Sequence, residues 1–152
     1  MQIRIANKQD EPSIRQLFEL AADELAFTCD FAGTDADLKN VEWSYFGHDG
    51  AFFIAEDDKR LIGMAGALKK TETILQLRRL FVVSECRGRG IGQALLKMVI
   101  EFASNLDYQA IQCVLNSDSR HLDGYLRHFG FQAADRQDAH DVLELAIAGR
   151  RR

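Results

Sequence analysis

The sequence RGRGIG at residues 87–92 constrains the fold more than any other segment of the chain. It lies between a run typical of a strand, LRRLFVV at residues 77–83, and a run typical of a helix, QALLKMVIEFA at residues 93–103. A simple turn needs one or two glycines and no arginine. Three glycines and two arginines at a strand-to-helix junction indicate a loop whose backbone comes close to an anion.

Three phosphate-binding patterns compete for this loop. A dinucleotide-binding Gly-x-Gly-x-x-Gly would use Gly88 and Gly90, but Gln93 occupies its third glycine position, and the spacing of a P-loop does not occur. Arg-x-x-Gly-x-Gly does fit, with Arg87, Gly90 and Gly92. We therefore predict a pyrophosphate site built from backbone N–H groups and helped by the arginines. A glycine-rich turn with solvated arginines is the alternative.

The composition indicates one soluble globular domain. The chain has 152 residues, of which 47% are apolar and 28% are charged. A single domain over residues 1–152 is expected, with a frayed basic tail at residues 149–152. The sequence contains no run of eighteen apolar residues and no leader of signal-peptide type, so neither a membrane partner nor secretion is expected.

The charge and the cysteines narrow the function further. A formal net charge of −4 disfavours nucleic acid as a partner, because that binding depends on a basic surface. Arg78 and Arg79 add to the arginines of the glycine stretch, which suggests a small anion rather than a long polyanion. Cys29, Cys86 and Cys113 are far apart and lack metal-ligand spacing. We predict no metal, no disulfide and a location in the reducing cytoplasm.

Apolar periodicity predicts the element order β-α-α-β-β-β-α-β-α-β-β. Residues 2–6 alternate like a strand, and Pro12 lies near the first turn of a helix. The core-facing positions of that helix are predicted at steps of one to four residues: Ile14, Leu17, Phe18, Leu20, Ala21 and Leu25. A shorter second helix is expected around residues 35–46.

The later elements are predicted in the same way. Strands are expected at residues 51–57, 61–70, 71–83, 110–115, from Phe131, and at 141–148. The helix after the glycine stretch repeats its apolar positions at steps of three and four: Ile91, Leu95, Met98, Phe102 and Leu106. Residues 119–129 are predicted to form a helix that Gly130 ends. A mixed sheet with helices on both faces follows from this order.

The segment LRRLFVVSECRGRGIGQALL at residues 77–96 resembles the GCN5-related N-acetyltransferase (GNAT) family, which binds acetyl-coenzyme A through an Arg/Gln-x-x-Gly-x-Gly/Ala signature. A second match, YLRHFGF at residues 125–131, is similar to the family's Tyr-x-x-x-Gly-Phe helix end. The resemblance implies an α/β fold with a mixed, mostly antiparallel central sheet and helices on both faces, the acyl-CoA N-acyltransferase fold. It implies an acetyl-CoA-dependent N-acetyltransferase.

The resemblance also implies which residues hold acetyl-CoA. The backbone of Phe81, Val82 and Val83 would pair with the pantetheine arm, as a missing strand would. The pyrophosphate would be held by the N–H groups of the loop: Arg87, Gly88, Arg89, Gly90, Ile91 and Gly92. Ser119 falls where many members carry an asparagine that contacts the cofactor, although a serine there also suits helix capping.

Two departures from the family concern catalysis. Many members carry a glutamate where this chain has Gln76, and glutamine can orient a substrate but cannot accept a proton at neutral pH. Many members use a tyrosine as general acid, and in this chain its position is occupied by Leu126. Tyr125 is one residue earlier, which places its side chain about 100° away around a helix. Tyr125 is therefore either a relocated general acid or an aromatic packing residue.

The acceptor site is expected in residues 30–46. An acidic and aromatic wall there would suit a cationic amine: Asp30, Asp35, Asp37, Glu42, Trp43, Tyr45 and Phe46. An ordinary amphipathic helix is the other interpretation. The expected function is transfer of an acetyl group to a primary amine of a small molecule or peptide, by direct attack. The alternative is a CoA-binding regulatory or interaction module with weak or no catalysis, and a homodimer stays open. The acidic net charge and the failed phosphate-motif spacings argue against a nucleotide- or nucleic-acid-binding protein.

Overall fold

The predicted mixed, mostly antiparallel sheet is confirmed by the computed structural model, which describes residues 1–147. Its strands are β1 (Gln2–Ile5), β2 (Ala51–Asp57), β3 (Arg60–Lys69), β4 (Ile74–Val82), β5 (Ala110–Val114), β6 (Gln132–Gln137) and β7 (His140–Ala146). They are ordered β1-β2-β3-β4-β5-β7-β6, and only β4 and β5 run parallel to each other. The tail predicted to be frayed lies outside the described residues.

Helices cover both faces of the sheet, as predicted. They are α1 (Glu11–Leu25), α2 (Val41–Ser44), α3 (Ile91–Asn105) and α4 (Asp123–Phe129). A Cβ on Gly66 of β3 would lie 2.8 Å from the ring of Tyr45, directly after α2. A Cβ on Gly63 would lie 3.0 Å from Leu95 of α3. The two glycines let helices pack closely on opposite faces of one strand.

The second, shorter helix predicted around residues 35–46 is present but covers only part of that segment. That segment forms a 3₁₀ turn, Ala36–Lys39, and then the short α2. Asn40 interrupts the helical backbone with φ −144° and ψ 81°, and its side chain accepts the N–H of Trp43. The asparagine therefore ends one turn and caps the next.

Smaller differences concern the ends of other elements. Leu20 and Leu106 are 46% and 55% exposed, so neither lies on the apolar face predicted for its helix. The helix predicted at residues 119–129 begins as a 3₁₀ turn, Arg120–Leu122. β4 begins three residues late because the hydroxyl of Thr71 accepts the N–H of Ile74 and holds a turn before the strand.

A β-bulge in β4 redirects one arginine. Met64 pairs with Phe81 and Gly66 pairs with Arg78, so Arg79 and Leu80 together lie opposite one residue of β3. Arg79 has φ 59°, in the left-handed region that costs a non-glycine residue about 1–2 kcal/mol. Strict alternation along β4 would point Arg79 toward α3. The bulge turns it instead toward α1.

The redirected Arg79 is buried among carboxylates from two loops. Its Nη1 donates to Asp35 and Asp118 at 2.9 Å each, and its Nη2 donates to Asp37 at 2.7 Å. Its guanidinium also lies 5.0 Å from the centre of the Phe18 ring of α1. Burial alone would raise the pKa of Asp37, but the charge and hydrogen bonds of Arg79, together with Arg78 and the Tyr45 hydroxyl, hold that pKa below its usual value. One cation therefore joins β4 to both loops.

Beyond their first residues, β4 and β5 separate. They pair only at Ile74 with Ala110, Leu75 with Ile111 and Gln76 with Gln112. β4 then continues to Val82 and β5 to Val114 without further pairing. The bulge bends β4 away from β5, which opens a gap in the middle of the sheet.

The substitution Arg79→Met should lower the free energy of unfolding by about 3–5 kcal/mol, because buried carboxylates lose their cation. Urea denaturation at neutral pH measures this change. Arg127→Met is the control, since Arg127 pairs with Asp123 on the exposed face of α4, and it should cost less than about 0.5 kcal/mol. Similar losses in both variants would show that the buried cluster does not stabilise the fold.

Candidate active site

Two cavities open along the gap between β4 and β5. The loop cavity, of about 390 Å³, is lined by residues 80–82, 86–88, 90–93, 121–122 and 125. The cleft cavity, of about 440 Å³, is lined by residues 27–28, 34–35, 76–80, 113–114, 116–119, 122 and 140. Leu80 and Leu122 line both cavities. A ligand in one cavity can therefore touch a ligand in the other at these two residues.

The glycine stretch forms an open loop at the start of α3. Gly88 and Gly90 both have φ 80°, and a Cβ at either position would have no neighbour within 4 Å. Gly90 directly precedes α3, so the first N–H groups of that helix lack partners within it. The N–H of Arg87, in contrast, already donates to Ser84 O at 3.3 Å. The loop thus offers N–H donors to an anion from Gly88 onward.

The two arginines of the loop differ. The Arg87 guanidinium pairs with the carboxylate of Glu24 in α1 and lies 5.4 Å from the centre of the Phe81 ring. Its Nε also donates to Val82 O at 3.0 Å. Arg89 is exposed and forms no ion pair with any residue from 1 to 147. Arg89 is therefore free to meet an anion, whereas Arg87 must first leave its partners.

The edge of β4 beside the loop cavity is only partly the one expected. Val82 lies on this edge, because its carbonyl faces Arg87. Val83 does not line the cavity, because its N–H donates to Ile62 O of β3 at 2.9 Å. Leu80, which sequence reasoning missed, takes its place. Backbone groups alternate along a strand, so residues 80 and 82 share the edge that faces the gap.

Tyr125 and His121 form the opposite wall of the loop cavity. The hydroxyl of Tyr125 lies 3.4 Å from the point that a Cβ on Gly92 would occupy, beside the first turn of α3. Partial burial raises the pKa of the Tyr125 phenol, so the phenol stays protonated at neutral pH. Burial and the nearby charge of Arg87 lower the pKa of His121, which favours a neutral imidazole.

Gln76 and Ser119 line the cleft cavity rather than the loop cavity. Gln76 lies at the last position at which β4 pairs with β5, opposite Gln112. Ser119 is buried, and its hydroxyl accepts the N–H of Asn116 at 3.0 Å and donates to Val114 O at 2.9 Å. These bonds hold the loop after β5, and Ser119 makes no side-chain cap for the 3₁₀ turn that follows. The capping interpretation is therefore wrong.

Two of the acidic residues predicted to form an acceptor wall already accept hydrogen bonds from Arg79. Asp35 Oδ1 accepts from Arg79, and its Oδ2 accepts the N–H of Asp30 at 2.8 Å. Asp37 Oδ1 and Oδ2 both accept from Arg79. The prediction that Arg79 helps to bind an anion is wrong as well, because burial and these bonds use its charge. Sequence reasoning missed this pairing because its partners lie more than forty residues away.

The other members of the predicted wall do not line the cleft cavity: Asp30, Glu42, Trp43, Tyr45 and Phe46. Tyr45 is fully buried and donates a 2.5 Å hydrogen bond to Asp37. Trp43 is 64% exposed, and its ring packs edge-on against His48 at 4.4 Å. These aromatic side chains therefore form no wall around a cationic amine in the cleft cavity.

Two further properties bear on the chemistry. Burial raises the pKa of the Cys113 thiol to about 12, so this thiol in the cleft cavity is not a thiolate at neutral pH. Within residues 1–147, no group of three or more His, Cys, Asp or Glu side chains is arranged to hold a metal ion. In the same part of the chain, no helix has the length and apolar character needed to cross a membrane.

Comparison with known proteins places this arrangement among acetyltransferases. Residues 14–131 match the family model described as the acetyltransferase (GNAT) family. The chain is 33% identical over 102 residues to N-acetyltransferase family 8 member 2 of Rattus norvegicus. That match covers 64% of this chain but only 45% of the relative, so the chain spans less than half the length of that protein.

Solved structures share the fold at lower identity. A GNAT-family acetyltransferase from Staphylococcus aureus Mu50 has a TM-score of 0.88 and 18% identity, over 97% of this chain and 99% of that chain. A putative acetyltransferase from Salmonella typhimurium, solved with acetyl-CoA, has a TM-score of 0.74 and 16% identity. That match covers 100% of this chain and 96% of the other. Both likenesses concern the fold.

Proposed function

Because the chain belongs to the acetyltransferase (GNAT) family, we propose that it transfers an acetyl group from acetyl-CoA to a primary amine of a small molecule or peptide. The observation that carries this proposal is the meeting of the two cavities at Leu80 and Leu122. The loop cavity would receive the pyrophosphate and the pantetheine arm, and the cleft cavity would receive the amine. The thioester would then lie where the cavities meet.

The loop cavity has the chemistry that acetyl-CoA needs. The N–H groups from Gly88 to the start of α3 suit a pyrophosphate, and the helix end adds a partial positive charge. The edge of β4 that faces the gap offers backbone groups to the amides of the arm, as a neighbouring strand would. The Salmonella typhimurium protein of the same fold was solved with acetyl-CoA, which supports the same co-substrate here. The proposal includes no metal.

The transfer is proposed as one direct step. The neutral amine attacks the thioester carbonyl carbon, a C–N bond forms, the C–S bond breaks, and the amine proton passes to the leaving sulfur or to water. Cys113 is protonated at neutral pH, which argues against an acyl-cysteine intermediate. Gln76 would only orient the acceptor or a water molecule. A thiol of pKa about 8.5 leaves without much help from an acid.

The proposal also covers the cellular location and the assembly of the protein. The three cysteines are free within residues 1–147, which agrees with the proposed cytoplasmic location. The homodimer stays a prediction based on the resemblance to the family.

Gly90→Glu should abolish binding of acetyl-CoA, because a side chain at φ 80° is strained and the new carboxylate repels a pyrophosphate. At about a hundred times its dissociation constant, acetyl-CoA should raise the melting temperature of the unaltered chain by about 5–10 °C. Gly124→Glu is the control, since its Cβ also meets nothing within 4 Å and it does not line the loop cavity. A shift retained in Gly90→Glu would refute the loop assignment.

Glu24→Gln should tighten acetyl-CoA binding by about two- to fivefold, because it frees Arg87 to leave Val82 O and meet the pyrophosphate. Calorimetric titration measures this affinity. Asp23→Asn removes the same charge one residue earlier, where no ion pair with Arg87 exists, and should change affinity less. Equal tightening in both variants would mean that long-range charge, not the Glu24–Arg87 pair, is responsible.

Tyr125→Phe should weaken acetyl-CoA binding several-fold and leave kcat nearly unchanged, because the Tyr125 hydroxyl lies beside the first turn of α3, where the pyrophosphate is proposed to bind. A general acid would behave differently, since its loss costs about 10²–10⁴ in kcat. Steady-state kinetics with a responsive amine separates the two roles. A large fall in kcat at unchanged affinity would restore the relocated-acid interpretation. Binding without turnover on a broad amine panel would favour a CoA-binding module.

A further inference from the structure

Two arginines line the cleft cavity, and Arg78 has fewer ionic contacts than Arg79. Arg78 lines the cavity, and its side chain is 28% exposed. Its one ionic contact within residues 1–147 is with Asp37 Oδ1 at 3.9 Å, which is too long for a hydrogen bond. A guanidinium carries five N–H donors, so Arg78 can still bind an anion in the cleft.

The neighbouring arginine explains why Asp37 does not satisfy Arg78. Asp37 Oδ1 accepts a hydrogen bond from Arg79 Nη2 at 2.7 Å. Asp37 Oδ2 accepts from Arg79 Nε at 3.2 Å and from the Tyr45 hydroxyl at 2.5 Å. Both oxygens of Asp37 thus accept hydrogen bonds from other donors. Arg78 lies near this negative charge but makes no hydrogen bond to it.

A carboxylate with an unused oxygen lines the same cavity. Asp118 Oδ2 accepts from Arg79 Nη1 at 2.9 Å, whereas Asp118 Oδ1 has no hydrogen-bond partner among residues 1–147. Asp118 is 13% exposed and lines the cleft cavity. It differs in this from Asp35, whose two oxygens are both occupied.

The Arg78 guanidinium and the Asp118 carboxylate are joined by a chain of contacts. Asp37 contacts Arg78 on one side and Arg79 on the other, and Arg79 reaches Asp118. One guanidinium and one carboxylate therefore separate the Arg78 guanidinium from the Asp118 carboxylate. A ligand that met both groups would carry both a negatively charged group and an amino group. Amino acids have that arrangement.

We propose, on the basis of the acetyl transfer proposed above, that the acceptor is a compact amine that carries a carboxylate near its amino group. Arg78 binds the carboxylate, and Asp118 Oδ1 receives an N–H of the amino group. Gln76 lies two residues before Arg78 in β4 and lines the same cavity, so its amide can donate to the carboxylate as well. Arg78 is then a residue that determines specificity, and it takes no part in the bond-making step.

This assignment reverses the expectation of a purely cationic acceptor. That expectation depended in part on free carboxylates at Asp35 and Asp37, and both are paired with Arg79. An amine without a carboxylate would leave the Arg78 donors unpaired once water is excluded from the cleft, which is costly for a charged group. The cleft should therefore select against such amines.

The test compares matched acceptors with saturating acetyl-CoA. Alanine, leucine and phenylalanine are each assayed beside the corresponding amide and the decarboxylated amine, and thiol release gives kcat/KM. The free acids should exceed their amides by about tenfold or more in kcat/KM, as expected for hydrogen bonds to a charged group. Calorimetric titration of the same compounds into the CoA complex measures acceptor binding without turnover.

Three variants identify the residue responsible. Arg78→Gln should lower kcat/KM for the acids by about tenfold or more, mainly through KM, and should not lower kcat/KM for the amides, which have no carboxylate for Arg78 to bind. Arg78→Lys should recover part of the preference, because it keeps the charge but loses the planar pair of donors. Arg60→Gln is the control, since Arg60 is an exposed arginine that pairs with Glu85 and lines neither cavity.

Each outcome decides between the proposals. Equal turnover of acids and amides, or an equal loss for both in Arg78→Gln, would overturn this inference and leave the acetyltransferase proposal standing. Binding of the acids but not of their amides to the CoA complex, without turnover of any amine, would support the binding roles of Arg78 and Asp118 and overturn the proposed activity. No binding of any acid to a folded CoA complex would overturn the inference.

Discussion

The buried cation of Arg79 is the interaction on which the rest of the site depends. Its guanidinium joins Asp35 and Asp37, from the loop after α1, to Asp118, from the loop after β5. Removing one partner of a buried ion pair is far more costly than omitting the pair, so these groups hold one another in place. The two loops form the sides of the cleft cavity, and a single side chain therefore sets its width.

The orientation of Arg79 and the gap beside β5 are two consequences of the bulge in β4. The extra residue turns Arg79 toward its carboxylates and bends β4 away from β5. The first effect organises the cleft cavity, and the second leaves backbone groups of β4 unpaired beside the loop cavity. A strand without the bulge would close the sheet and bury an unpaired charge against α3. The two cavities therefore exist because the sheet is interrupted at one place.

The sequence was sufficient for the features that depend on local patterns. The glycine stretch, the strand before it and the helix after it were predicted because period and spacing specify them over about twenty residues. The acceptor side was not predictable in this way. Arg79 and Asp35 are forty-four residues apart in the chain, and nothing in β4 marks Arg79 as the residue in the left-handed conformation. The local pattern of this acidic segment therefore predicts an acceptor wall, although two of its carboxylates pair with the buried Arg79.

The bulge also bears on how this chain tolerates changes of length. Loops usually accept insertions and deletions, whereas a strand with one buried face does not, because a shift by one residue exchanges its two faces. In β4 the loss of one residue between Leu77 and Phe81 would restore regular alternation and move the arginine to the face packed by Leu95. Variation in length is therefore expected in the turn at residues 57–60 and not in β4. The strand must keep the extra residue of its bulge for the site to form.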